Sequence, residues 1–229
     1  PYTTLFRSNI TNVDWNAAYQ LRELRGLTTT SAIKLALRRD TRNQAFNPTN
    51  GTDSTVSVEH AGGPLGGTNN FTRYIADTGT FISLGFWDVV FFARGQMGYV
   101  VKGPDGKLPA YEKFYLGGIN SMRGFDLRSI SREDPLSGDK IGGEKMALAN
   151  LEVIFPVFKS IGLLGVVFMD QGNVWSQHSF MDLSKLKRSV GGGIRYYSPF
   201  GPLRLEYGRV IHPVDDERDN WEFSVGTFF

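Results

Sequence analysis

The chain has 229 residues, no cysteine and a formal net charge of +2. Without cysteine it can form neither a disulfide nor a thiolate metal site, and so small a charge does not indicate a nucleic-acid partner. No run reaches the ~18 apolar residues of a membrane-spanning helix, whereas 27 glycines, 17 phenylalanines, 9 tyrosines and 4 tryptophans favour an all-β protein.

The first thirty residues lack a clear strand pattern. Residues 1–8 read PYTTLFRS, the translation of a widely used DNA-sequencing adapter, so we expect a non-native scar there; a genuine strand start is the alternative. Residues 9–30 are interpreted as the remnant of an outer loop, with a short helix at 15–24. The regular pattern is therefore expected to begin at residue 31.

From residue 31 onward, apolar and polar positions alternate with a period of two, which predicts half-polar β-strands. Nine runs can be distinguished, at 31–39, 56–59, 71–82, 89–99, 144–155, 161–175, 189–197, 202–211 and 221–229. Several connections are short (84–88, 156–160, 198–201) and alternate with long ones (61–70, 101–143, 176–188, 212–220). This alternation is typical of an antiparallel transmembrane β-barrel of the bacterial outer membrane.

The odd number of strands needs an explanation. Single-chain bacterial barrels have an even number of strands and must close, because an open edge in lipid leaves backbone groups unpaired. We therefore expect residues 31–229 to be the C-terminal part of a larger barrel, truncated on its N-terminal side.

The last run assigns the two faces of the strands. Trp221, Phe223, Val225, Thr227 and Phe229 share a face that suits lipid, with aromatic residues placed for the interfacial girdles. The same alternation directs a set of polar residues into the lumen: Asn150, Glu152, Asp170, Arg204 and Glu206. A strand of a soluble two-sheet sandwich is the alternative interpretation.

The connection at 101–143 is too long and too apolar for a flexible linker. It contains Arg123 among six large apolar residues: Phe114, Tyr115, Leu116, Ile119, Met122 and Phe125. We expect this loop to be buried inside the barrel, where the planar guanidinium of an arginine requires a carboxylate partner.

Five motifs follow in order: GGINSMRGF at 117–125, NLEVIFP at 150–156, FMDQGN at 168–173, GGIR at 192–195 and SPFGPLR at 198–204. Together they resemble the C-terminal barrel of the BamA family of outer-membrane β-barrel assembly proteins. The resemblance implies a sixteen-strand barrel with periplasmic POTRA domains upstream. It also implies a lumenal loop latch of Arg123, Gly124 and Phe125, with Arg123 paired to Glu152 and Asp170. Whether that latch only holds the loop in place or also takes part in client assembly is left open.

The resemblance implies a non-enzymatic factor, without a cofactor, that folds and inserts β-barrel proteins into the outer membrane. Client strands would be templated at a seam strand containing Trp221, Phe223, Gly226 and Phe229. The implied partners are the lipid bilayer and lipopolysaccharide, unfolded clients, and accessory lipoproteins bound through the POTRA domains, with no nucleic acid. A TamA-like translocation factor or two-partner secretion transporter is the near alternative, and a porin or outer-membrane enzyme is the alternative of another class.

Other chemistry is weakly indicated. The three histidines, His60, His178 and His212, lack metal-ligand spacing, and no Gly-x-Ser-x-Gly elbow occurs. The acidic run around residues 215–219 favours a solvated surface loop over a cation site. The basic residues Lys185, Lys187 and Arg188 either contact anionic lipopolysaccharide or are simply exposed.

Overall fold

The computed structural model describes residues 2–11, 14–23, 25–198, 201–211 and 219–226. They form one ten-stranded antiparallel sheet in which each strand pairs with its neighbour along the chain. The strands are β1 (Tyr2–Ile10), β2 (Gly26–Asp40), β3 (Gly51–Ala61), β4 (Phe71–Ser83), β5 (Val90–Lys102), β6 (Lys145–Phe158), β7 (Leu163–Trp175), β8 (Lys187–Ser198), β9 (Gly201–Ile211) and β10 (Asn220–Val225).

The helical elements are short and lie in connections. The α-helix α1 covers Tyr19–Arg22, and single 3₁₀ turns cover Gly63–Leu65, Ala110–Glu112, Lys159–Ile161 and Leu183–Lys185. Within the part of the chain described, no helix combines the length and the apolar character needed to cross a membrane.

The N-terminal region differs from the expectation. β1 pairs with β2 from Tyr2 opposite Lys34 to Ile10 opposite Gly26, so the sheet has ten strands, not nine. Residues 9–10 and 26–30 therefore belong to strands, and the connection expected at 9–30 is limited to the residues between them. The run of threonine and serine at 28–31 hides the apolar alternation, although β-branched threonine favours strands. The expected helix at 15–24 shortens to the four residues of α1. An adapter origin of residues 1–8 stays a prediction.

The two faces of the sheet follow the predicted alternation. Glu152, Asp170 and Glu206 are buried on the inner face, whereas Trp221 and Phe223 on the outer face are 69% and 66% exposed. A transmembrane barrel requires this arrangement, since the outer face meets lipid.

The inner face carries apolar layers as well as charge. Near the short turns, six apolar residues pack together: Phe81, Val90, Phe92, Ile154, Leu164 and Val166. Near the long loops, inward strand residues such as Phe71 and Val100 pack against Phe114, Leu116, Met122 and Phe125 of the long β5–β6 loop. The apolar content of that loop is thus explained by burial against the inside of the sheet.

Candidate functional site

The site is built on a tight turn of the β5–β6 loop. The Gly118 amide donates to the carbonyl oxygens of Met122 and Phe125, at 3.1 and 2.9 Å. The Gly117 amide donates to the Ser121 hydroxyl at 2.9 Å. Gly117 and Gly118 have φ of 112° and 91°, in a region that favours glycine. The turn, closed by these hydrogen bonds, therefore presents Arg123 to the wall of the sheet.

Arg123 contacts carboxylates from three strands. Its Nε and Nη2 donate to the two oxygens of Asp170 at 2.7 and 2.6 Å, a bidentate pair. Its Nη1 donates to Glu152 at 2.6 Å and to Glu206 at 2.9 Å. The guanidinium carbon lies 3.6 Å from the ring centroid of Phe168. Burial alone would lower the pKa of Arg123, but these carboxylates hold it well above its usual value.

Two further arginines complete the cluster. Arg195 donates from Nη1 and Nη2 to Glu152, both at 2.8 Å, and from Nε to Glu206 at 2.8 Å. Arg204 donates to both oxygens of Glu206 at 2.8 and 2.9 Å. Three buried arginines thus face three buried acids, which we call the arginine cluster: Arg123, Arg195, Arg204, Glu152, Asp170 and Glu206. Buried charges persist only when they are paired and hydrogen-bonded in this way.

Asn150 connects the cluster to the backbone of the loop. Its amide donates to Asp170 Oδ1 at 2.8 Å and to the Ser121 carbonyl at 2.7 Å. A residue on the wall of the sheet therefore orients both the carboxylate and the turn that carries Arg123.

Gly124 brings the loop against β9. Its φ is +86°, and a Cβ built on it would lie 2.8 Å from the carbonyl carbon of Gly208. A Cβ on Gly208 would lie 2.4 Å from the Gly124 nitrogen. The neighbouring Phe125 is buried beneath the loop. Both glycines are required for this approach because any β-carbon would occupy the space of the other backbone.

The structure places Arg123 beside the two acids named from the sequence, Glu152 and Asp170. The sequence did not identify Glu206, Arg195, Arg204 or Gly208 as members of the site. The signal for Glu206 was present, since alternation already put it on the lumenal face together with Arg204. No sequence pattern indicated that the β5–β6 loop packs against β9.

The predicted seam residues lie on β10 and just beyond it. Trp221 pairs across with Tyr207, and their ring centroids are 5.1 Å apart on the outer face. Phe223 pairs with Leu205. Gly226 has a φ of +117°, and its amide donates to the Pro202 carbonyl at 3.0 Å. Phe229 lies outside the described residues.

The remaining candidates that the structure describes form no second centre. Within the described ranges, no group of three His, Asp or Glu residues could hold a metal ion. His60 is hydrogen-bonded to the Thr72 hydroxyl at 3.0 Å. Lys185 lies 3.7 Å from Asp182 in the exposed β7–β8 loop. His212 and the acidic residues 215–217 lie outside the described part.

Comparisons with known proteins agree on one family. The model of the Omp85 superfamily domain matches residues 3–229. The outer membrane protein assembly factor BamA of Nitratidesulfovibrio vulgaris is 38% identical over 98% of this chain, which spans 29% of that relative. The human sorting and assembly machinery component 50 homolog is 29% identical over 74% of the chain, which spans 34% of it.

A solved structure supports the fold. BamA from Haemophilus ducreyi lacking POTRA domains 1–3 superimposes with a TM-score of 0.74 at 24% identity, covering 86% of this chain and 42% of that one. The open ten-stranded sheet therefore corresponds to part of a barrel wall. The superfamily match and the identity to BamA make the chain a bacterial outer-membrane β-barrel segment. This chain belongs to the Omp85 superfamily.

Proposed function

We propose that the protein carrying this chain is an outer-membrane protein assembly factor, which folds β-barrel proteins and inserts them into the bacterial outer membrane. The observation that carries this proposal is the 38% identity to BamA across 98% of the chain. The arginine cluster adds support, because it fixes residues 117–125 of the β5–β6 loop against the inner face of the sheet, as the family resemblance implies. We call this loop the signature loop. The role needs neither a catalytic residue nor a cofactor, so we propose a non-enzymatic protein.

In this role β10 is the strand that receives clients. It pairs with β9 over Asn220–Val225, and its other side is an edge of the described sheet. The edge of a strand offers unpaired N–H and C=O groups, to which an incoming strand can add. In the complete barrel this edge would form the seam with the first strand. The positive φ of Gly226 interrupts the regular strand at the end of the described seam segment.

Arg123, Gly124 and Phe125, with Glu152 and Asp170, serve in this proposal as a latch that holds the loop in the lumen. Arg123→Ala in the full-length protein separates a working latch from a purely structural one. A working latch predicts loss of client assembly while the barrel itself remains folded. Normal client assembly despite a loosened loop would indicate that the latch has only a structural role. Arg128→Ala, at an exposed arginine of the same loop, is the matched control.

The function is tested with the full-length protein reconstituted in vesicles of outer-membrane lipid. We expect an unfolded β-barrel client to fold several times faster than in empty vesicles. Passage of a soluble polypeptide into the vesicles without client insertion would favour the TamA-like or two-partner secretion alternative. Large steady conductance or lipid hydrolysis would instead favour a porin or an enzyme.

The partners follow from the same proposal. Unfolded clients meet the seam, and accessory lipoproteins bind through upstream POTRA domains. The outer face contacts lipid, and we assign Lys185 and Arg188, which are both exposed near the β7–β8 loop, to anionic lipopolysaccharide. Lys187, the third basic residue of this stretch, is half-buried, with its Nζ 5.8 Å from the ring centroid of the buried Phe125. Replacing Lys185 and Arg188 with serine should weaken binding to lipopolysaccharide vesicles and leave binding to neutral lipid vesicles unchanged.

A further inference from the structure

Two adjacent amides of the signature loop contact strands that are three positions apart in the sheet. The Arg123 amide donates to Asp170 Oδ2 on β7 at 3.0 Å. The next amide, that of Gly124, donates to Glu222 Oε1 on β10 at 3.2 Å. Because β8 and β9 lie between these strands, the loop spans the inside of the wall from β7 to the last strand.

A second contact fastens the loop to β10. Asn220 Nδ2 donates to Asp126 Oδ1 at 2.5 Å. Asn220 and Glu222 are two residues apart, so they share the inner face of β10, opposite to Trp221 and Phe223. The inner face of the last strand therefore contacts the loop at two successive inward positions.

Only one of the two carboxylate oxygens of Glu222, Oε1, has a hydrogen-bond partner among the described residues. Its Oε2 is buried and has no hydrogen-bond partner among the described residues. Burying an unsatisfied polar atom is costly, so such a group requires an explanation. The observed partner of this carboxylate is the Gly124 amide, which holds Oε1 against the loop.

The two ends of this connection differ in strength. At the β7 end, Arg123 makes charged hydrogen bonds with three buried carboxylates. At the β10 end, two hydrogen bonds hold a strand that has six paired residues on β9. Both bonds at the β10 end also involve a carboxylate, but one is only part-buried and the other is exposed. Because solvent and salt weaken exposed interactions more than buried ones, we expect the β10 end to separate first.

We propose that Glu222 and Asn220 are positioning residues, through which the signature loop braces the last strand from inside the barrel. Opening of the seam then breaks these two hydrogen bonds while the arginine cluster stays intact. The proposal rests on the proposed function only for the meaning of the seam, since the brace itself is a property of the fold.

Hydrogen exchange of the full-length protein in lipid tests the brace. Glu222→Ala should speed exchange of amides 220–226 by about three- to tenfold, the effect of one lost hydrogen bond, and leave residues 145–175 unchanged. Glu222→Gln keeps the accepting oxygen and should restore slow exchange. Ser224→Ala, one inward position further along β10, is the control. Unchanged exchange in Glu222→Ala, or equal acceleration in Glu222→Gln, would overturn the proposal.

A disulfide in place of the Asn220–Asp126 hydrogen bond tests whether the loop lies against β10. This chain has no cysteine, so Asp126→Cys with Asn220→Cys introduces the one pair within these 229 residues, and any cysteine elsewhere in the full-length protein is first replaced by serine. We expect mild oxidation to link this pair but not the control pair Asp105→Cys with Asn220→Cys. Failure of the first pair to link would overturn the brace.

Client insertion adds the functional readout. The linked protein should insert clients several times more slowly than the reduced protein, with recovery on reduction. Undiminished insertion would contradict release of the brace during seam opening. An inactive wild-type protein would instead refute the proposed function, while the exchange and linking results would still decide the brace.

Discussion

Gly124 of the loop and Gly208 of β9 meet backbone against backbone, and a Cβ on Gly208 would lie 2.4 Å from the Gly124 nitrogen. This contact sets how closely the loop packs against the sheet, and the arginine cluster and the brace to β10 lie next to it.

Gly208→Ala should displace the loop and destabilise the protein by about 1–3 kcal/mol, since the added methyl group meets backbone that cannot turn aside. Urea-dependent unfolding in lipid vesicles measures the loss, and proteolysis within residues 117–130 reports the displaced loop. Gly95→Ala on β5 is the matched control, because a Cβ there meets nothing within 4 Å. Equal stability of the two variants would contradict the contact.

Asp170→Asn should be strongly destabilising, because it leaves the guanidinium of Arg123 without its bidentate partner. Breaking a buried ion pair costs about 3–5 kcal/mol, and Asp170 is fully buried. The same vesicle unfolding experiment measures it. Asp88→Asn removes the partner of Lys159 in an exposed pair between two short turns, and we expect little change there. Comparable losses in both variants would show that burial does not decide the effect.

Arg123 and Arg195 should be energetically coupled, because both bind Glu152 and Glu206. A double-mutant cycle with Arg123→Ala and Arg195→Ala should give an interaction energy of about 1–3 kcal/mol, as found for members of one ionic network. Pairing Arg123→Ala with Arg38→Ala, at an exposed arginine on β2, should give additive effects. Additivity in the first cycle would mean that the two arginines act independently.

Val167→Lys tests the assignment of the outer face. Val167 lies on β7 beside the inward Phe168 and is half exposed on the outer face. A lysine on the lipid face costs about 2–4 kcal/mol near the midplane, so assembly into vesicles should fall. Leu136→Lys, in the exposed part of the β5–β6 loop, should assemble like the wild type. Normal assembly of Val167→Lys would place this face away from lipid.

The sequence predicts the strand faces well, because alternation is a local property of each run. It thereby put Glu152, Asp170 and Glu206 in the lumen before any contact was known. The contacts of Arg195 with Glu206 and of Gly124 with Gly208 depend on how the loop folds onto a curved sheet, which no local pattern records. β1 was missed because residues 1–8 were interpreted as an adapter scar, and the start of β2 was missed because residues 28–31 are polar on both faces.

The apolar layer near the short turns, which includes Phe92 and Ile154, lies on the same inner face as the arginine cluster, and Phe92 pairs directly with Glu152 across β5 and β6. Mobile ions screen exposed charges over a Debye length of about 8 Å at physiological ionic strength, but screen buried pairs much less. Raising the salt concentration should therefore loosen surface pairs such as Arg38–Asp53 and leave the loop in place. The position of the loop should therefore depend little on the ionic composition of the medium.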